Sequence, residues 1–130
     1  MRRVTVVNDN PEFLELVRDI LESDQYETAT VDGDLPDALE RIRASRPDLV
    51  MLDLRMGTMG LHGWDIGQQV RADPSLSGVP ILVCSADIVA LRELAEELTA
   101  FRDVKTLEKP FTVDELTGAV DALLAGAAHT

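Results

Sequence analysis

Apolar residues follow two alternating rhythms along this chain. Short continuous runs, such as Val4-Thr5-Val6-Val7, Leu49-Val50-Met51-Leu52 and Ile81-Leu82-Val83-Cys84, alternate with stretches where apolar residues recur every three or four positions. The first rhythm is that of buried strands and the second that of amphipathic helices. Arg3 to Val7 predicts a strand bounded by Asn8-Asp9-Asn10. Asn10 can cap a helix and Pro11 suits its first turn. Phe13, Val17, Ile20 and Leu21 carry the helical spacing to about Asp24. Tyr26 to Val31 predicts a second strand, more polar and alternating, as an edge strand would be. After the turn Asp32-Gly33-Asp34, Pro36 opens a helix to about Ser45, with Leu35, Leu39 and Ile42 on one face.

Leu49 to Leu52 is apolar throughout and ends at Asp53, the pattern of a central parallel strand buried on both faces. Arg55 to Gly63 reads as a glycine-rich loop, followed by a helix from Trp64 to Ala72. Pro74 and Gly78-Val79-Pro80 bracket a turn before the strand Ile81 to Cys84, which ends at Ser85. Ile88 to Ala100 predicts a helix with Leu91, Leu94, Ala95 and Leu98 as its stripe. Val104 to Leu107 is a weaker strand ending near Lys109-Pro110. Thr112 with Glu115 forms a capping box for a last helix that buries Val113, Leu116, Val120, Leu123 and Leu124. The tail 126–130 is expected to fray. Strands alternating with helices in this way predict a single doubly wound α/β domain over 1–130, a five-stranded parallel sheet with helices on both faces and right-handed crossovers.

Length and charge narrow the function. The 130 residues fit one domain and can bury a real core. Lys and Arg total 12 against 24 Asp and Glu, a net charge of −12. A nucleic-acid binder needs a basic surface to displace counterions, so none is expected here, and an acidic surface disfavours anionic membranes. No apolar run approaches the roughly 20 residues that span a bilayer, and no signal-peptide core follows Met1. The single cysteine, Cys84, rules out an internal disulfide and fits a reducing compartment. A cytoplasmic location is the expectation.

Four polar residues stand where strands end: Asp9, Asp53, Ser85 and Lys109. In a parallel sheet these ends share one edge, where open α/β folds bind their ligands. Any one of them alone would be an ordinary turn residue; all four in order are far more specific. Two carboxylates suit Mg²⁺, which takes one or two of them along with phosphate oxygens and waters. Ser85 can donate to a phosphoryl oxygen, Lys109 supplies a compact positive charge, and an aspartate can form an aspartyl phosphate. By contrast, His62 reads as solvated, Cys84 as an inert core thiol, Trp64 as core cover, and Met51, Met56 and Met59 as packing.

The blocks Val6-Val7-Asn8-Asp9-Asn10-Pro11, Leu49-Val50-Met51-Leu52-Asp53-Leu54-Arg55-Met56, Pro80-Ile81-Leu82-Val83-Cys84-Ser85-Ala86 and Glu108-Lys109-Pro110-Phe111 resemble the signature blocks of two-component receiver domains. The resemblance covers essentially the whole chain and implies the flavodoxin-like strand order 2-1-3-4-5. It implies Asp53 as phosphoacceptor, with Mg²⁺ held by Asp9, Asp53 and the backbone carbonyl of Arg55. Ser85 would sense the phosphoryl group, Lys109 would hold it, and the Lys109–Pro110 bond would be cis. Three departures matter. Asn8 stands where the family usually has an acid, so Mg²⁺ should bind more weakly, with Asn8 coordinating it or holding a metal-bound water. Thr106 replaces the family's switching aromatic. The loop from Met56 to Gly63 lacks the usual proline and is about two residues longer.

The resemblance implies a response regulator, expected to stand alone and to be no enzyme beyond self-phosphotransfer and self-dephosphorylation. It would be phosphorylated by a sensor histidine kinase or phosphotransfer protein. Output would pass by protein contact through the fourth helix, fifth strand and fifth helix. A pseudo-receiver that works without phosphate is the first alternative, favoured by Asn8 and Thr106. A phosphatase of the haloacid dehalogenase type is the second, disfavoured because Arg55 stands where its general acid should. Oligomeric state is left open. Finally, Arg55 and Asp87 each lie two residues past a strand end, and their opposite charges leave two arrangements open: an ion pair across the mouth of the site, or both side chains pointing into solvent.

Overall fold

The computed structural model describes residues 2–55, 62–98 and 103–127. Five strands, β1 (Arg3–Asn8), β2 (Glu27–Asp32), β3 (Leu49–Asp53), β4 (Ile81–Ser85) and β5 (Val104–Glu108), alternate with five helices, α1 (Pro11–Ser23), α2 (Ala38–Ser45), α3 (His62–Ala72), α4 (Ile88–Glu97) and α5 (Val113–Ala127). All strand pairs are parallel, as the alternation of strands and helices predicted, and the order is β2-β1-β3-β4-β5, as the resemblance implied. The polar second strand does lie at an edge, while every residue of β3 and β4 is buried.

The pleat sorts the central side chains into two cores. Val50, Leu52, Ile81 and Val83 face α2, α3 and α4 through Ile42, Val70 and Leu91. Leu49, Met51, Leu82 and Cys84 face α1 and α5 through Val17, Leu21, Leu116 and Val120. Burying both faces of β3 and β4 fixes their register, because a slip of one residue would exchange the two cores. The caps read from the sequence are present. Asn10 Oδ1 accepts the Glu12 and Phe13 N–H groups at 2.9 and 3.3 Å, and Thr112 and Glu115 exchange bonds of 3.0 Å each.

Several boundaries differ from expectation. α2 begins at Ala38, because Pro36 and Asp37 still belong to a turn. Leu35 therefore lies outside the helix and is exposed. α4 stops at Glu97 with Leu98 as its C-cap, short of the predicted Ala100; residues 99–102 lie outside those described. Val113 is 55% exposed rather than buried, since the first position of α5 points away from the core that Leu116 and Val120 enter. Of the tail expected to fray, Gly126 and Ala127 belong to α5, and residues 128–130 lie outside those described. Among the described residues no helix is long and apolar enough to cross a membrane.

Candidate functional site

Asp53 closes β3 at the C-terminal edge of the sheet, 8% exposed, and its carboxylate is held on both oxygens. The Arg55 N–H donates to Oδ1 at 3.1 Å. The Asn8 amide donates to Oδ2 at 3.1 Å, and the Lys109 ammonium pairs with the same oxygen. The sheet order explains the meeting: β1 and β4 flank β3, and β5 lies beyond β4. The Lys109 N–H donates to the Ser85 carbonyl at 2.9 Å, which continues the β4–β5 pairing one residue past the strand and fixes the base of the lysine side chain. The Lys109–Pro110 bond is cis, as the resemblance implied.

Asn8 is 3% exposed, and its orientation is dictated by its other bond. Its Oδ1 accepts the Asn10 N–H at 2.9 Å, so the NH₂ group is what faces Asp53. The side chain thus presents donors to the site, whereas a carboxylate could only accept. Asp9 follows at the exposed rim. Residues that could offer hard oxygen to Mg²⁺ are Asp53 and the exposed Asp9 through their carboxylates and Arg55 through its carbonyl, and Mg²⁺ needs only one or two carboxylates from a protein. No cluster of three Asp, Glu, His or Cys side chains converges among the described residues, so the charge available to a dication is modest.

Ser85 is 1% exposed at the end of β4, one residue past Cys84, the partner of Asp53 in the ladder. Its Oγ accepts the Asp87 N–H at 3.0 Å, which leaves its own proton available to an incoming oxygen. Asp87 is shared between two roles. Oδ1 caps α4 by accepting the Ala90 N–H at 3.1 Å, and Oδ2 takes Arg55 Nε at 2.6 Å. The Ala90 bond and then the Arg55 bond hold its carboxyl below the ordinary aspartate range. Of the two arrangements left open, the Arg55–Asp87 pair is therefore the one present. It links the turn after β3 to the first turn of α4, with Asp53 hydrogen-bonded at one end and Ser85 at the other.

Two contributors were not singled out from the sequence. Phe13 places its ring 4.1 Å from the Lys109 ammonium. Gly63 packs against the backbone of Asp53 so closely that a Cβ there would stand 1.6 Å from the Asp53 carbonyl oxygen. A glycine in a glycine-rich loop carries no signal that marks it as the one beside the site. The lesser candidates fall away from the site. Met51 and Cys84 are core residues, with burial pushing the Cys84 thiol up to about 12, and Trp64 is partly buried against the core in α3. Met56 and Met59 lie outside the described residues, as does the loop 56–61 and its predicted lengthening, and of His62 only the backbone, at the start of α3, is described. Thr106 is half-buried in β5, paired with Val83.

Residues 4–121 match the family model for the response regulator receiver domain. The DNA-binding response regulator MtrA of Mycolicibacterium smegmatis is 36% identical over 123 residues, covering 95% of this chain and 50% of that protein. This chain thus spans about half the length of that relative. Among solved structures, the chemotaxis protein CheY4 of Vibrio cholerae aligns with a TM-score of 0.79 and 26% identity, over 95% of this chain and 98% of that one. The response regulator TrrA of Thermotoga maritima, in complex with Mg²⁺-BeF, aligns with a TM-score of 0.76 and 27% identity, over 95% and 99%.

Proposed function

This chain belongs to the response regulator receiver domain family, and from that premise we propose that it accepts a phosphoryl group on Asp53. The family is a signalling domain rather than a conventional enzyme, and it serves two-component systems. The observation that carries the reading is the buried Asp53 carboxylate with the Lys109 ammonium on its Oδ2. In the proposed step a carboxylate oxygen of Asp53 attacks the phosphorus of a phosphodonor, and the donor's bond to phosphorus breaks with its electron pair leaving on the donor. Lys109 then turns from the carboxylate to the phosphoryl oxygens, and Ser85 donates its free proton to one of them. Asp9, Asp53 and the Arg55 carbonyl would hold Mg²⁺, which would supply positive charge to offset that of the transferred group. Its place in the reading is supported by TrrA, whose structure carries Mg²⁺-BeF.

The proposal extends to residues 1–130 as one receiver domain. A sensor histidine kinase or phosphotransfer protein would be the donor and a protein partner at α4, β5 and α5 the reader. MtrA is DNA-binding by name and about twice as long; for residues 1–130 themselves the proposal includes no nucleic-acid contact, since their net charge of −12 gives no basic surface to displace counterions. Incubation with acetyl phosphate and Mg²⁺, followed by intact mass spectrometry, tests the central claim: one phosphoryl adduct is expected, and none would return the chain to the pseudo-receiver reading.

Two results are expected to follow from the site's departures. Asn8→Asp should raise Mg²⁺ affinity about tenfold, the equivalent of ~1.4 kcal/mol of added attraction. It should also cost the metal-free protein about 1 kcal/mol, because the donor to Asp53 Oδ2 becomes a second negative charge. Calorimetry with Mg²⁺ and thermal melts with and without it measure both; weaker Mg²⁺ binding in the variant would contradict the account. The Arg55–Asp87 pair should hinder water from reaching the aspartyl phosphate. Arg55→Ala and Asp87→Asn, the latter keeping a residue that can cap α4, should each speed dephosphorylation by up to about fivefold, the small effect expected of an exposed ion pair. The double variant should be no faster than either, and unchanged rates would show that the pair does not guard the site.

A further inference from the structure

The Lys109 ammonium has two neighbours of different kinds: the Asp53 carboxylate and the face of the Phe13 ring, 4.1 Å away at its centroid. We propose that Phe13 is a positioning residue for Lys109, holding the ammonium at the site by cation–π attraction while leaving its N–H donors free for oxygen. The proposal rests on the reading of Asp53 as phosphoacceptor.

The ring is itself held in place. Phe13 lies in the first turn of α1, where its N–H donates to the capping Asn10, and it packs partly buried against the α1–α5 core. Its ring meets Phe111 edge to face, centroids 6.3 Å apart at 74°. Phe111 follows Lys109 by two residues, so the segment that carries the ammonium also braces the ring beneath it. The two rings, Leu16, Ala86 and Pro110 line an apolar cleft of about 320 Å³, and among the described residues Lys109 supplies its charged side chain. A cation over an aromatic face gains more in such surroundings than in open solvent.

The chemistry explains why an aromatic ring suits this position. Phosphorylation requires Lys109 to exchange one oxygen partner for another. A carboxylate beside it would compete for its donors, and an aliphatic side chain would exert no electrostatic pull. A ring face attracts the cation without accepting a fixed hydrogen bond, so the ammonium keeps all three N–H donors. Phe13 therefore steadies Lys109 both before and after phosphoryl transfer.

The test compares Phe13→Tyr, which keeps the ring, with Phe13→Leu and Phe13→Met, which keep apolar bulk without it. The phosphorylation rate with acetyl phosphate should fall about two- to fivefold in the Leu and Met variants, equivalent to ~0.5–1 kcal/mol, and stay near wild type in the Tyr variant. Having two ring-free variants guards against one that folds poorly. In NMR spectra the Lys109 ε-methylene protons should be shifted upfield by the ring current in wild type and Phe13→Tyr, and return to ordinary positions in the other two. Wild-type rates in Phe13→Leu, or equal slowing in Tyr and Leu, would overturn the proposal and leave Phe13 a packing residue. If wild type takes up no phosphoryl group, the phosphoacceptor reading fails, while the NMR comparison still decides whether the ring holds the ammonium.

Discussion

Asp53→Asn is expected to abolish phosphoryl uptake outright. The substitution is nearly isosteric, so it spares the fold, but a neutral amide is not a nucleophile and cannot form the acyl phosphate. The surroundings sharpen the expectation. Asp53 Oδ2 accepts from Asn8 and Lys109, and Oδ1 from the Arg55 N–H. An Asn side chain can offer one oxygen, so its NH₂ must face a donor whichever way it turns. The variant should therefore show no adduct by mass spectrometry under conditions that label the wild type. It should also lose some order at Lys109, which keeps Phe13 but loses its anion. Equal labelling of the two proteins would move the acceptor to another residue and overturn the assignment.

The second large effect is expected at a residue with no side chain. A Cβ at Gly63 would lie 1.6 Å from the Asp53 carbonyl oxygen and 2.9 Å from that of Leu54. Neither atom can yield cheaply. The first ends β3 and the second directly follows it, where the Leu54 N–H donates to the Cys84 carbonyl at 2.9 Å and the Gly63 N–H donates to the Leu54 carbonyl. Overpacking usually costs about 1–3 kcal/mol, and a clash with backbone belongs at the upper end or beyond. Gly63→Ala should lower Tm by roughly 10 °C and, in the molecules that fold, shift Asp53 enough to slow its phosphorylation. Gly118→Ala is the control. Gly118 lies within α5, where an added methyl meets nothing within 4 Å, and the change should stabilise by ~0.5–1 kcal/mol. A Gly63→Ala protein as stable as wild type would show that the start of α3 can draw back from the strand end.

The parts of this fold legible in the sequence are those where burial is one-sided or total. β3 and β4 are unbroken apolar runs because helices cover both faces, and no helical spacing competes with that pattern. Element ends are less legible, because they depend on the first and last turns. Val113 continues the spacing of Leu116 and Val120, yet it sits at the solvent-facing start of α5. Leu35 fits the stripe of α2 but precedes the helix. At the site, residue types and strand ends were enough to bring Asp53, Ser85 and Lys109 to one edge, but left Arg55 and Asp87, two residues past neighbouring strand ends, either paired or solvated until the structure paired them. The donor role of Asn8 was not legible, since it follows from which of its two polar atoms the Asn10 N–H takes. Phe13 was hidden for a different reason. At helical spacing it reads as core, and only the packing of α1 beside the turn after β5 brings it to Lys109.

Cys84 has a practical consequence. It is the chain's single cysteine, fully buried in β4, and its thiol is raised to about 12 by desolvation. A thiol that is both inaccessible and protonated at neutral pH will not react with maleimides while the protein is folded. One cysteine introduced on the surface would then be the sole point of attachment, with no need to remove the native one. Val89, 70% exposed in the first turn of the helix that Asp87 caps, is a natural position. A fluorophore there would watch α4 directly while Asp53 is phosphorylated. Uptake of label by Cys84 becomes, in turn, a clock for unfolding, since that thiol reacts only when the sheet opens.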